Sequence, residues 1–184
     1  MLTVLKPAEI EVVSLPEVKA HLRLDHSFED DYLLTIIQAA TQNVESYLGK
    51  SLISRTWQLM WQPDKSEKGG LVEIKLPYPP LMEIISVNKI FQGDRKQPMK
   101  RYGLETMSSM PKLICVADSE AVEVIYRSGY GDYPKSIPAG IRQALLVRIA
   151  DFYENRCSAS FESKSTLDSL FKELLAPHRL VGLT

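Results

Sequence analysis

Hydrophobic positions change rhythm twice along the chain. In the stretch "SLPEVKAHLRL", Ser14 can cap a helix, Pro16 sits in its first turn and Glu17 closes an S-x-x-E capping box. Val13 and Val18 are placed for a hydrophobic staple across that cap, and the pattern predicts a short helix over about 15–23. A second run, "SFEDDYLLTIIQAATQNVESYLG", starts at Ser27 and ends at Gly49, with acids filling its first turn. Leu33, Ile36, Ile37, Ala40, Val44, Tyr47 and Leu48 recur at helical spacing and predict one apolar stripe lying on a core. From about 51 to 128 the runs are short and rich in branched and aromatic residues: "ISRTWQLMW", "LVEIKL", "IISVNKIF", "KLICV" and "AVEVIYR". The turn signals "KSEKGG", "LPYPPL" and "QGDRKQP" separate them. This predicts a small, mostly antiparallel β region. Trp57 and Trp61, an even distance apart, share one strand face, and packing on the core accounts for them better than base stacking.

The helical period then returns. "KSIPAGIRQALLVRIADFYENR" repeats the opening of the first helix, with Ser136 and Pro138 echoing Ser14 and Pro16. Ile141, Leu145, Leu146, Ile149, Ala150, Phe152 and Tyr153 cover about half the circumference. So wide a stripe predicts a helix that touches its own core and something else. Arg142 falls inside that arc near the helix start. It either snorkels to water from the first turn or forms an ion pair at a contact. In "STLDSLFKELLAP", Leu167, Leu170, Phe171, Leu174 and Leu175 give a last helix stopped by Pro177. The tail "PHRLVGLT" is basic and apolar without a helix signal, and is expected to be loose. The fold class is therefore α+β, in a single domain over 1–184. The N- and C-terminal helices (about 15–49 and 137–176) form a bundle, a β insertion (about 51–128) emerges from it, and the tail occupies 177–184.

Bulk properties narrow the function. A chain of 184 residues, 45% hydrophobic and 24% charged, buries a real core. Its formal net charge of -1 argues against direct gripping of DNA, which needs a basic excess. Cys115 and Cys157 are far apart with no C-x-x-C spacing and read as reduced thiols. Acidic residues stand where a signal peptide would place its apolar core, and no run approaches a membrane span, so no membrane association is expected.

Candidate chemistry is sparse. His21 and Asp25 could share a helix face, but His26 falls off it and no third ligand is evident, so no metal is expected. There is no G-x-S-x-G elbow, and "GYGDYP" fits neither G-x-G-x-x-G nor a phosphate-binding loop. It reads as a flexible strand-to-helix connection. Glu29, Asp30 and Asp31 sit at a helix N-terminus, where the dipole favours them without any catalytic role. The expectation is no catalytic residue and no cofactor. Good helices, a β outgrowth, wide apolar surfaces and an apolar tail describe an assembly component.

Four stretches in order resemble one family. "SLPEVKAHLRLDHSFEDDYLLTIIQAATQNVESYLGKSLISRTWQL", "LPYPPL" followed by an I-x-S-V strand, "YRSGYGDYPKSIPAGIRQALLVRIADFYENR" and "LLAPHRLVGL" are similar to the head–tail connectors, or adaptors, of tailed bacteriophages and gene transfer agents. The likeness runs from about 12 to 183. His178 stands where the family's closing pattern has a tyrosine, so no ring-stacking role is carried to it. The resemblance implies a structural virion protein, assembled in the host cytoplasm and located in the neck. It implies a ring, commonly twelve-fold, beneath the portal. Such a ring prolongs the channel, through which DNA passes without specific binding, and offers a platform to the next neck or tail protein. It also implies that the C-terminal segment reaches the portal and that no residue is catalytic.

On this reading, subunit contacts fall to Arg142, Arg148, Asp151 and Glu154, and portal docking to His178, Arg179, Leu180, Val181 and Leu183. A loose tail can order on a partner when burial there offsets the entropic cost. The alternatives are a closure protein elsewhere in the neck or tail, and a small packaging-accessory enzyme with an unmotifed site around His21 and Asp25.

Overall fold

A computed structural model describes residues 1–156 and 166–180. Cys157, Val181 and Leu183 lie outside the described residues. The chain divides into two compact units, a β unit of residues 1–8 and 54–132 and a helical unit of residues 9–53 and 133–184.

The β unit holds eight strands: β1 (Leu2–Lys6), β2 (Arg55–Trp61), β3 (Leu71–Lys75), β4 (Leu81–Phe91), β5 (Arg95–Pro98), β6 (Gly103–Glu105), β7 (Lys112–Val116) and β8 (Ala121–Ser128). They form a five-stranded sheet, β1-β2-β8-β4-β5, and a three-stranded sheet, β3-β7-β6. Every pairing is antiparallel. Alternation along β8 sends Val122, Val124 and Tyr126 into a core shared with Trp57 and Leu59 of β2 and with Val72, Ile74, Leu113 and Cys115 of the small sheet. Trp57 is buried there, stacked on Tyr78 at 4.5 Å, and Trp61 packs at the rim of the same core. The Tyr126 hydroxyl donates to the Pro77 carbonyl at 2.8 Å, so this largest buried ring keeps its polar end satisfied.

Three strands have no counterpart in the sequence reading. β1 pairs with β2 although "LTVLK" is short and lacks flanking turn signals. "QGDRKQP" is a turn only in its first half. Its second half is β5, hairpinned onto β4, and its four residues are exposed, which removes the alternation by which a strand is read. β6 has only three residues.

The helical unit contains α1 (Leu15–Leu22), α2 (Asp30–Leu48), α3 (Ala139–Glu154) and α4 (Thr166–Leu175). The capping box at α1 is complete. Ser14 Oγ accepts from the Glu17 N–H at 3.3 Å, and Glu17 Oε2 accepts from the Ser14 N–H at 3.5 Å. Val13 and Val18, the staple pair, are fully buried. α2 begins three residues after Ser27, because Phe28 and Glu29 form a turn first. It ends with Gly49 at φ 66°, a left-handed geometry that glycine adopts without strain. The α2 stripe is buried as its spacing predicts, except that Tyr47 is half-buried and Thr41 and Glu45 join it. Glu45 Oε1 accepts the Leu52 N–H at 2.9 Å, closing the loop after the helix.

α3 differs from expectation at its start. Ser136 belongs to a 3-10 turn and does not cap the helix; Pro138 occupies the cap position. The apolar stripe packs within the helical unit, where α3 touches α1, α2 and α4, and leaves Leu146, Ala150, Phe152 and Tyr153 half-buried. Ile141, Ala144, Leu145 and Ile149 are fully buried. At ~1.5–3 kcal/mol for each large side chain, that helix anchors the unit. The tail also differs. Ala176–His178 is a 3-10 turn, and Leu180 is 7% exposed, with its N–H on the Leu48 carbonyl at 3.4 Å. The start of the tail is therefore packed on its own bundle.

Candidate assembly surfaces

The structure places the expected contact residues along α3 in different surroundings. Near the helix start, Arg142 forms a close ion pair with Glu17, so the residue that closes the α1 cap also ties α1 to α3. Two turns on, Arg148 bonds Asp151 at 3.1 Å and Asp168 of α4 at 3.0 Å. Its guanidinium lies 3.9 Å from the centre of the Phe171 ring. Asp168 also receives Lys172 at 2.7 Å. That hydrogen bond and the one from Arg148 outweigh burial and hold its carboxyl below the usual range. Glu154 is exposed. Arg148 and Asp151 are thus brought together, Arg142 belongs to a separate pair, and Glu154 faces solvent.

At the far end of α3, Arg156 pairs with Glu29 at 2.7 Å and lies over Tyr32 and Tyr153, 4.4 and 4.2 Å from their ring centres. The Tyr153 hydroxyl donates to Glu29 at 2.6 Å. The hydrogen bonds from Arg156 and Tyr153 keep the Glu29 carboxyl below its ordinary pKa. Glu29 is therefore a structural partner for the α3 terminus as well as a residue of the acidic α2 start. His26 stacks on the exposed Phe28 ring at 3.8 Å and lies 3.7 Å from Glu29. Among the described residues no three His, Cys, Asp or Glu side chains are grouped for a metal ion. No described helix is long and apolar enough to cross a membrane.

Of the tail residues, His178 is half-buried and Arg179 is exposed, its guanidinium 5.1 Å from the Tyr47 ring centre. His178 Nε2 sits 3.6 Å from where a Cβ on Gly140 would stand, an ordinary contact distance that brings the turn against the start of α3.

The β unit carries a polar cluster that residue spacing alone did not reveal. Glu123, on the non-core face of β8, is only 2% exposed. It accepts from Gln58 of β2 at 2.6 Å, Asn88 of β4 at 3.0 Å and Lys96 of β5 at 2.8 Å. Burial raises its pKa, but the three donors together lower it below the ordinary value. The cluster fixes the register of four adjacent strands. A second cluster joins Asp132 to Ser54 and Arg127, and their hydrogen bonds lower the Asp132 pKa. Gly129 and Gly131, which flank Tyr130 just before it, both take positive φ, as a reversing connection needs. These arrangements hold structure. None aligns a nucleophile with a base around a cavity.

Residues 12–76 match the family model of the phage gp6-like head-tail connector protein. That span runs from the staple before α1 through α2 and β2 to the end of β3. The whole chain shares its fold with solved structures of gene transfer agent (GTA) particles. One, the neck of an empty GTA particle with C6 symmetry, aligns over 100% of this chain and 97% of that one, at 21% identity and a TM-score of 0.81. A chain in the virion of the native particle gives 0.77, and one in the native neck with C12 symmetry gives 0.74, at the same identity and coverage. No curated protein matches the sequence. The family match itself takes in none of β1, β5 and β6, the strands that the sequence did not announce.

Proposed function

We propose that the protein is a structural head–tail connector of a tailed phage or gene transfer agent particle. It sits in the neck as a ring, prolongs the DNA channel below the portal and presents a platform to the next neck or tail protein. It acts by assembly rather than turnover. One observation carries this reading: a connector-family match at the N-terminal end coincides with a fold shared over the full chain with neck proteins. The chemistry agrees, since the charged clusters are spent on joining helices and registering strands.

Within this reading Glu154, with the outer sides of Arg142, Arg148 and Asp151, contributes to subunit contacts. His178 to Leu183 forms the portal-docking element, with Arg179 its exposed cation and Leu180 the anchor that holds it to the bundle. Deleting the gene from a producing strain tests the role. The expected products are DNA-filled heads and separate tails that join again when the gene is restored. Normal tailed particles from the deletion strain would overturn the proposal.

A further inference from the structure

The outward face of α2 is unlike a solvated helix face. Six exposed positions in its middle, Leu34, Thr35, Gln38, Ala39, Gln42 and Asn43, carry no charge. The exposed Ser46, one turn further on, continues the neutral strip, and the exposed acid Asp31 stands before it in the first turn. Just before the helix, Phe28 is 81% exposed, its ring held against His26. Charged residues make up 24% of the chain, so their absence over these turns is a local property rather than a general one. Depletion of charge over an exposed helix face is a mark of an interface core. Thr35 and Ala39 are short enough for another backbone to approach closely, and the amides of Gln38, Gln42 and Asn43 can each donate and accept across such a contact.

We propose that this face packs against the next copy of this chain in the ring, an inference that rests on the connector reading. The size of the strip favours a repeated contact. Leu34 to Ser46 spans about 18 Å of a single helix that is about 10 Å across. That is well short of the ~800 Å² per partner of a stable independent complex. A contact this small persists when a closed ring repeats it and each subunit makes it on both sides. Similar solved structures are necks with six-fold and twelve-fold symmetry. In a ring the contact is heterologous, so α2 of one copy meets a different face of the next.

The test uses particles carrying a benzophenone photo-crosslinking side chain at position Gln38, together with an Ala39→Arg variant. Irradiation is expected to give a conjugate of two copies of this chain, with the crosslinked peptides both mapping to it. Ala39→Arg is expected to fold with an unchanged melting temperature and to fall at least tenfold in particle incorporation. A crosslink to a different virion protein, no crosslink, or Ala39→Arg present at the wild-type level would overturn the assignment of this face. If the unmodified chain is itself absent from purified particles, the connector reading falls, and this inference with it.

Discussion

Phe171 decides whether the C-terminal helix is an integral part of the helical unit. Its ring is 1% exposed, tilted against Tyr47 at 5.4 Å and capped by the Arg148 guanidinium at 3.9 Å. Phe171→Ala removes the transfer energy of the ring and leaves a cavity, a loss of about 3–5 kcal/mol. The value belongs in the upper part of that range, because Arg148 also loses the surface on which it stacks. Against a total stability of ~5–15 kcal/mol, that is a large fraction. It should lower the melting temperature by about 10 °C. Phe171→Leu keeps the aliphatic volume and forfeits mainly the aromatic share, about 1 kcal/mol. Leu170, its neighbour in sequence, is 42% exposed, and Leu170→Ala should cost less than ~1 kcal/mol. Urea unfolding followed by circular dichroism, with the three variants side by side, reads the differences. Equal losses for Phe171→Ala and Leu170→Ala would refute the burial argument and the docking of α4.

Other expectations follow from particular side chains. Ser14→Ala should destabilise by about 0.5–2 kcal/mol in the same assay, because the Glu17 N–H loses its cap. Glu17→Ala should cost more than Ser14→Ala, since it also strips Arg142 of its partner. The carboxyl of Glu123 is held below its unfolded pKa, so its contribution is present above that value and is lost as pH falls through the folded one. Unfolding measured from neutral to acid pH should show a steeper acid loss for the wild type than for Glu123→Gln. Leu180→Asp should destabilise the helical unit itself, because Leu180 is buried there. A test of docking is therefore cleaner with Arg179→Glu, which should weaken capture by the cognate portal ring and cost the helical unit only the contact with the Tyr47 ring, about 0.5–1 kcal/mol.

The helices were legible because local signals and tertiary burial coincide in them. The Ser14–Glu17 box, Gly49 and the α2 stripe each state in sequence what the packing uses. The β unit was legible in its central strands, β2, β4 and β8, where branched and aromatic residues alternate. It was not legible in β1, β5 and β6, which are short edge strands that bury little and so carry no periodicity. Glu123 resembles any strand carboxylate until three other strands bring Gln58, Asn88 and Lys96 to it. The broad stripe of α3 pointed to a contact beyond its own core. Three-sided packing within the helical unit buries Ile141, Leu145 and Ile149, while Leu146, Ala150, Phe152 and Tyr153 of the same stripe stay half-buried. The neutral strip of α2 was present in the sequence, and it acquired meaning only when the buried positions showed which residues remain outside.

The central claim is that this chain forms a ring in the neck, directly below the portal. A focused cryo-electron microscopy reconstruction of the neck in purified particles tests it most directly. The account predicts a closed ring of copies of this α+β chain in contact with the portal, coaxial with the DNA channel. A neck with no such ring, or with this chain elsewhere in the particle, would contradict it.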